Sequence, residues 1–335
     1  MKRNTAAAKI EAHSARRRGA KYAPSVQPDR SGKARHMLST ESSLSTLGVI
    51  GAGRVGAVLA AALRDAGYQI TAVAGESAAS RTRIETLLPG VRIDKPTAVA
   101  KACDLLLLSV PDDSLDNVVR MLAASGALRA GQYVVHTSGR HGLAVLTPAL
   151  DLGAAGIALH PAMTFTGTDL DVSRLAGCVF GVTCNPAERP TAEHLVDALG
   201  GHVAWLAEDQ RETYHAALAH SANHLVTLVA QSMEVLRAAG SADPAAMLRP
   251  LLTASLDNAV DFGDAALTGP IVRGDLQTVR AHLHSLAVAS PSTLESYVVL
   301  ARATANRAVA AGRLEPRRAA ALIELLNDAR DESWT

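Results

Sequence analysis

The stretch LGVIGAGRVGAVLAAALRDAG, Leu47 to Gly67, decides the fold. Leu47–Ile50 is a short aliphatic run, and Gly51, Gly53 and Gly56 follow it as GxGxxG. Val55–Ala66 then repeats apolar residues at helical spacing. Strand, glycine turn and helix in that order form the first half of a βαβ unit. Gly51 allows the tight turn, Gly53 lets backbone approach a ligand, and Gly56 lets the helix pack close to the strand. The helix start, with Arg54 and Val55 inside the loop, offers N–H groups and a positive dipole to the pyrophosphate of a dinucleotide.

Further short runs alternate with helix-length segments such as Leu115–Ser125. Gln69–Ala74, Asp104–Val110, Tyr133–His136, Gly156–His160, Cys178–Thr183 and Val203–Leu206 read as strands. The continuous run Leu105-Leu106-Leu107-Leu108 fits a strand covered on both faces, as in a parallel sheet. After Glu208 the strand signals stop. Asp209–Ala239, Ala245–Phe262, Asp275–Ala289, Pro291–Ala311 and Pro316–Asp331 read as helices, with Pro291 and Pro316 at helix starts. The expected class is α/β: an N-terminal Rossmann domain with a doubly wound, mainly parallel sheet, then an all-α C-terminal domain. The expected divisions are 1–44, a disordered basic extension or tag with Met37 as a possible natural start; 45–207, the Rossmann domain; and 208–335, the helical domain.

The 335 residues are 48% hydrophobic but only 3% aromatic, so the cores must be aliphatic. Residues 1–40 hold ten Lys or Arg against two acids, while 41–335 hold 23 basic and 30 acidic residues. That mildly acidic remainder offers no nucleic-acid footprint. Three cysteines, Cys103, Cys178 and Cys184, with no CxxC, argue against a disulfide framework and for a reducing, cytoplasmic setting. No apolar run reaches the ~20 residues of a membrane span. His220 and His224 are four apart, and His282 and His284 are close, but no HExxH or cysteine partner set accompanies them, so no metal is expected.

NAD-binding domains usually end the second strand with an acid for the ribose hydroxyls. Here the strand holds none, Glu76 comes just after it, and Ser77, Ser80, Arg81 and Arg83 follow. Hydroxyls and guanidinium groups suit a 2′-phosphate, which favours NADP and leaves NAD possible; alternatively Arg81 and Arg83 are solvated helix positions. Polar motifs fall at three further strand ends: Ser109-Val110-Pro111-Asp112-Asp113-Ser114, His136-Thr137-Ser138-Gly139 and Leu159-His160-Pro161-Ala162-Met163-Thr164-Phe165. Ligands sit at such ends in open α/β sheets, although the same residues also build ordinary turns.

The set GAGRVG, SVPDDSL, HTSG, LHPAMTF, YHAALAHSANHL and LTGPIVRGD resembles a bacterial family described as Rossmann-like with a C-terminal domain of unknown function. That family is related to ketopantoate reductases, pyrroline-carboxylate reductases, prephenate dehydrogenases and deazaflavin-linked NADP oxidoreductases. The resemblance covers roughly residues 45–330. It implies an NADP-dependent oxidoreductase reducing a small 2-oxo acid, with 2-dehydropantoate the leading substrate. An imine reductase, a prephenate-type dehydrogenase and a non-catalytic NADP sensor are the alternatives. It also implies a homodimer through the helical domain.

Related enzymes use a lysine on the long helix, whereas this chain has no Lys after Lys101. Ten of its twelve histidines follow that point, and imidazole exchanges protons near neutral pH. His220, Asn223, His224 and Thr227 share one face of the long helix by spacing. They line a cleft or form an interhelical polar network. The candidate proton donors are His160, His215 and His220. By resemblance, Asn223 orients the substrate oxygen, and His160-Pro161 matches a substrate-side His-Pro, with a core histidine as the alternative. Ser138 joins the candidate catalytic set, and His215 and Arg273 the substrate contacts. Arg273 either clamps a carboxylate or faces solvent beside Asp275, a helix cap.

Overall fold

The structure is a computed structural model that describes residues 46–331 except Glu76; the expectations for residues 1–44, for Met37 and for Glu76 lie outside the described residues. β1 (Thr46–Ile50) runs into α1 (Arg54–Asp65), followed by β2 (Gln69–Ala74), α2 (Ala78–Leu87), α3 (Pro96–Lys101), β3 (Leu105–Leu108), α4 (Asp112–Ala124) and β4 (Tyr133–His136). Then come α5 (Thr147–Leu150), β5 (Ala155–Pro161), α6 (Asp169–Arg174), β6 (Val179–Cys184), α7 (Arg189–Ala198) and β7 (His202–Trp205). The helical part holds α8 (Arg211–Ala238), α9 (Pro244–Phe262), α10 (Pro270–Arg273), α11 (Leu276–Ala289), α12 (Pro291–Ala310) and α13 (Pro316–Asp331).

The seven strands form one sheet in the order β2-β1-β3-β4-β5-β6-β7, parallel throughout except for β5 against β6. β1 sits between β2 and β3, so the chain reverses its direction of travel across the sheet there. That switch point leaves a crevice beyond the carboxyl ends of β1 and β3, with the glycine turn at its edge. The leucine run of β3 shows why the sheet needs both faces covered. Leu105 and Leu107 join Leu47, Val49, Leu59, Leu195 and Leu199 on one side. Leu106 and Leu108 join Leu115, Val119, Leu122 and Leu146 on the other. Each fully buried leucine contributes about 1.5–3 kcal/mol of transfer free energy.

The described residues divide into two compact units, 46–222 and 223–331, so the division falls inside α8. The sequence-based boundary lies at 207/208. The first turn of α8 goes with the sheet because Arg211 is wholly buried against it, bonded to β6 and to the turn after β4. In the second unit, Val279 and Leu283 of α11 pack with Val298, Ala301 and Ala305 of α12 and with Leu322 and Leu326 of α13. α8 and α9 behave differently: α8 buries only Arg211, and α9 only Pro244 and Leu248. Val226 is 68% and Val260 76% exposed, with Leu225, Met247, Leu251 and Leu256 also at the surface. Among the described residues no helix is long and apolar enough to cross a membrane.

Candidate functional site

Each loop glycine has a different physical duty. Gly51 has φ +95°, donates its N–H to Ala74 O at 2.9 Å, and would place a Cβ 2.4 Å from Ser109 O. A Cβ on Gly56 would lie 2.2 Å from Gly51 O. Gly53 is the opposite: the nearest atom to its would-be Cβ is Ser109 O at 4.0 Å, so this position faces open space. Gly53 is the N-cap of α1, no side chain caps it, and the first turn has no acid. Intrahelical bonding begins with Ala57 N–H donating to Gly53 O, ahead of which lie the amides of Arg54, Val55 and Gly56. An uncapped, positive helix end beside an open glycine fits a dinucleotide pyrophosphate.

Two neighbouring segments border this loop. Ser77 caps α2, accepting from Ser80 N–H at 3.1 Å, and Arg81 is exposed on that helix. The loop after β5 reaches the same place: a Cβ on Gly167 would meet Arg83 Nε at 2.8 Å and Arg54 Cγ at 3.0 Å. Buried Asp171 fixes that loop by accepting from Thr166 N–H at 2.6 Å, Gly167 N–H at 2.7 Å and Thr166 Oγ1 at 3.0 Å. Burial works to raise the Asp171 carboxyl, but these donors outweigh it and hold it below the ordinary value.

At the end of β3, Ser109 N–H donates to Ile50 O at 2.8 Å, and Thr137 Oγ1 donates to Ser109 Oγ at 3.1 Å. Val110 is half-buried, and Pro111 is the N-cap of α4. At the end of β4, His136 is wholly buried, with Nε2 2.8 Å from Gly142 O and Nδ1 accepting from Ser138 N–H at 3.2 Å. Nε2 therefore carries the proton. Burial, with Arg211 and His141 adding to it, pushes the His136 pKa down to about 3. Ser138 is also buried, and its Oγ accepts from His141 N–H at 3.1 Å. Glu208 holds the next turn, accepting from Leu143 N–H at 2.7 Å and Ala144 N–H at 3.1 Å.

The first turns of α8 complete the group. Arg211 is 0% exposed, donating from Nη2 to Ser138 O at 2.6 Å and from Nη1 to Thr183 Oγ1 at 3.0 Å and Gly181 O at 3.4 Å. Its Nε is buried without an acceptor. Tyr214 Oη lies 2.9 Å from His160 Nδ1, and the His215 ring stands edge-on to His160 at 5.8 Å. Two glycines make the room: a Cβ on Gly181 would lie 2.7 Å from Tyr214 Oη, and one on Gly139 would lie 2.5 Å from His215 Cδ2 and 3.0 Å from His160 Nε2. Burial, then the neighbouring His215 and Arg211, push the His160 pKa down to about 4, so it is neutral at pH 7. Burial raises the Tyr214 phenol.

The fold thus brings His160, Ser138 and His215 together, along with Arg211 and Tyr214, which sequence reading did not place in the candidate site. His160 and Tyr214 are 54 residues apart, and nothing in the local sequence announces their pairing. His220 is exposed on α8. Asn223 and Arg273 belong to the second unit. Arg273 is exposed there, and Asp275 caps α11 by accepting from Thr278 N–H at 3.1 Å. Among the described residues no group of three or more His, Cys, Asp or Glu is arranged to hold a metal.

Comparison with known proteins agrees with this architecture. Residues 26–161 match a Rossmann-like domain, and residues 178–304 match a domain of unknown function (DUF2520). A search of curated proteins finds no match to the sequence. A provisionally named NADP oxidoreductase from Bacteroides fragilis superposes with a TM-score of 0.68 at 20% identity, over 78% of this chain and 98% of that one. A protein from Thermotoga maritima gives 0.56 at 20% identity, over 78% and 98%. An imine reductase from Myxococcus stipitatus in complex with NADP+ gives 0.53 at 18% identity, over 85% and 94%. At these identities the likeness is one of fold.

Proposed function

We propose that this chain, a Rossmann-like domain followed by a DUF2520 helical domain, is an NADP-dependent oxidoreductase that reduces a small 2-oxo acid, with 2-dehydropantoate the first substrate to try. The observation that carries this is the contrast within the glycine loop. Gly51 and Gly56 are pinned by backbone, while Gly53 opens onto free space at an uncapped helix end. Arg54, Val55 and Gly56 would bind the pyrophosphate through their amides. Ser77, Arg81 and Arg83 would take the 2′-phosphate, which is why NADP is preferred to NAD. Val110 and Pro111 would border the cofactor at the end of β3. When bound, NADPH supplies the hydride.

The protein's task is then to bind the substrate, orient it and deliver a proton to its oxygen. His160, half-buried at the end of β5 and 2.9 Å through Nδ1 from the Tyr214 hydroxyl, is the group we assign to that delivery. His215 stands beside it, and Ser138 shapes the floor of the same turn. His220 is the alternative proton donor, Asn223 and Arg273 are assigned to the substrate by resemblance, and alanine substitution tests each one. The apolar exposure of α8 and α9 supports a homodimer as the working form. Three free cysteines fit a reducing cytoplasm.

A C=N substrate is the second candidate, favoured by the fold likeness to an imine reductase complexed with NADP+. Following NADPH absorbance with a panel of 2-oxo acids and cyclic imines separates the two. Tight NADPH binding with no turnover on either class would leave a nucleotide sensor.

A further inference from the structure

We propose that Tyr214 is the proton reservoir of this site, passing its phenolic proton through His160 to the reduced substrate, and that Arg211 is the buried cation that stabilises the phenolate left behind. This rests on the reductase assignment above and adds the source of the proton.

The geometry begins with direction. Tyr214 Oη packs on the bare backbone of Gly181, whose Cβ would lie 2.7 Å from it, and stands 2.9 Å from His160 Nδ1, the acceptor to which the proposal gives the phenol's proton. His160 then carries its proton on Nε2, the atom turned toward the side-chain-free surface of Gly139. A neutral imidazole is a weak acid by itself. It becomes an effective donor when Nδ1 is reprotonated in the same motion.

The second observation is a buried charge with no anionic hydrogen-bond partner. Arg211 is completely buried, yet all three of its hydrogen bonds go to neutral acceptors, Ser138 O, Thr183 Oγ1 and Gly181 O, and its Nε has none. Glu208 and Asp112 act on that charge without hydrogen-bonding it, and the group that acts on it most strongly is Tyr214. Tyr214 lies three residues on along α8, and Arg211 and the Gly181 amide both act to lower the phenol pKa, against the larger effect of burial. The groups bearing electrostatically on His160 are Tyr214, His215 and Arg211 from α8, with Asp112 at the start of α4 acting weakly in the opposite sense to Arg211.

The step balances. The carbonyl carbon gains the hydride, and its oxygen gains the proton leaving His160 Nε2. Nδ1 takes the proton from Tyr214, whose O–H bond breaks to leave phenolate beside Arg211. Afterwards Nδ1 returns its proton to the phenolate, and Nε2 recovers one from water. Neither Tyr214 nor Arg211 touches the substrate, so both are positioning residues.

The test uses the full chain. Tyr214→Phe keeps the ring and removes the proton, and is expected to lower kcat about 100-fold with NADPH affinity unchanged. Arg211→Lys keeps the charge and Arg211→Met removes it. In NMR titration of apo protein, with the His160 signal identified by its loss in His160→Asn, Arg211→Met is expected to move the His160 pKa upward and Arg211→Lys to leave it near the wild-type value. Full turnover in Tyr214→Phe, or a His160 titration indifferent to Arg211→Met, overturns the proposal. If Arg211→Met does not fold, the Tyr214→Phe result decides alone. Absence of any NADPH oxidation with a normal titration series would instead strike the reductase assignment.

Discussion

Asp171 and Gly167 are joined by a 2.7 Å hydrogen bond from the glycine N–H to a carboxylate with no solvent exposure. Through it a loop that begins at the end of β5 is held over Arg54 and Arg83, beside the glycine turn. Asp171→Ala leaves the Thr166 and Gly167 amides without their acceptor, at about 1–3 kcal/mol for each group that water does not reach. The expected result is a lower Tm and weaker NADPH binding. Because the Asp171 pKa is depressed in the fold, its stabilisation is present above the ordinary carboxylate value and disappears as pH falls through the folded one. The Tm gap between wild type and variant should therefore narrow on strong acidification. Equal Tm values at pH 7 would refute this role.

The glycines of the loop separate packing from binding. Gly56→Ala puts a methyl group 2.2 Å from Gly51 O and should cost about 1–3 kcal/mol through overpacking. The nearest neighbour of a Cβ at Gly53 is Ser109 O at 4.0 Å, so Gly53→Trp should fold normally while losing its nucleotide. Thermal melts and calorimetry on both variants check the pair. Retained NADPH affinity in Gly53→Trp would remove the phosphate-loop assignment.

Buried histidines set the acid sensitivity. His136 is neutral in the fold down to about pH 3 and His160 to about pH 4, whereas in the unfolded chain both take a proton near 6.5. The unfolded state therefore binds more protons across that window, and stability must fall as pH drops from ~6.5 toward 4. His136→Gln, which retains an amide donor for Gly142 O, should flatten this dependence. Melts between pH 7.5 and 4.5 that show the same slope in both proteins would contradict the assignment.

The exposed faces of α8 and α9 predict association. Val226→Glu or Val260→Glu places a charge on faces that are 68% and 76% accessible in the single chain. Light scattering should find the wild type dimeric and a charged variant monomeric. A monomeric wild type would end that expectation.

How much of this was legible in the sequence follows from the kind of signal each feature leaves. β2 and β4 match their sequence-read limits, because aliphatic runs bounded by turns are local patterns. Leu105–Leu108 announced a sheet covered on both faces for the same reason. The glycine turn was readable because a positive φ and a close backbone approach tolerate few residues. Arg211 was not, since an arginine is almost always a surface residue. Its burial depends on acceptors from β6 and the β4 turn, 28 to 73 residues earlier. Asp171 lay hidden for a related reason: within Thr168-Asp169-Leu170-Asp171 it looks like an ordinary acid in a helix first turn. The polar face of His220, Asn223, His224 and Thr227 was visible as a pattern. What it serves depends on the apolar residues around it, which are exposed as well.

The most direct measurement is calorimetric titration of NADPH and NADH into the folded chain. Saturable uptake of NADPH, tighter than that of NADH and lost in Gly53→Trp, is the predicted result. Folded protein that takes up neither nucleotide would contradict the account at its root.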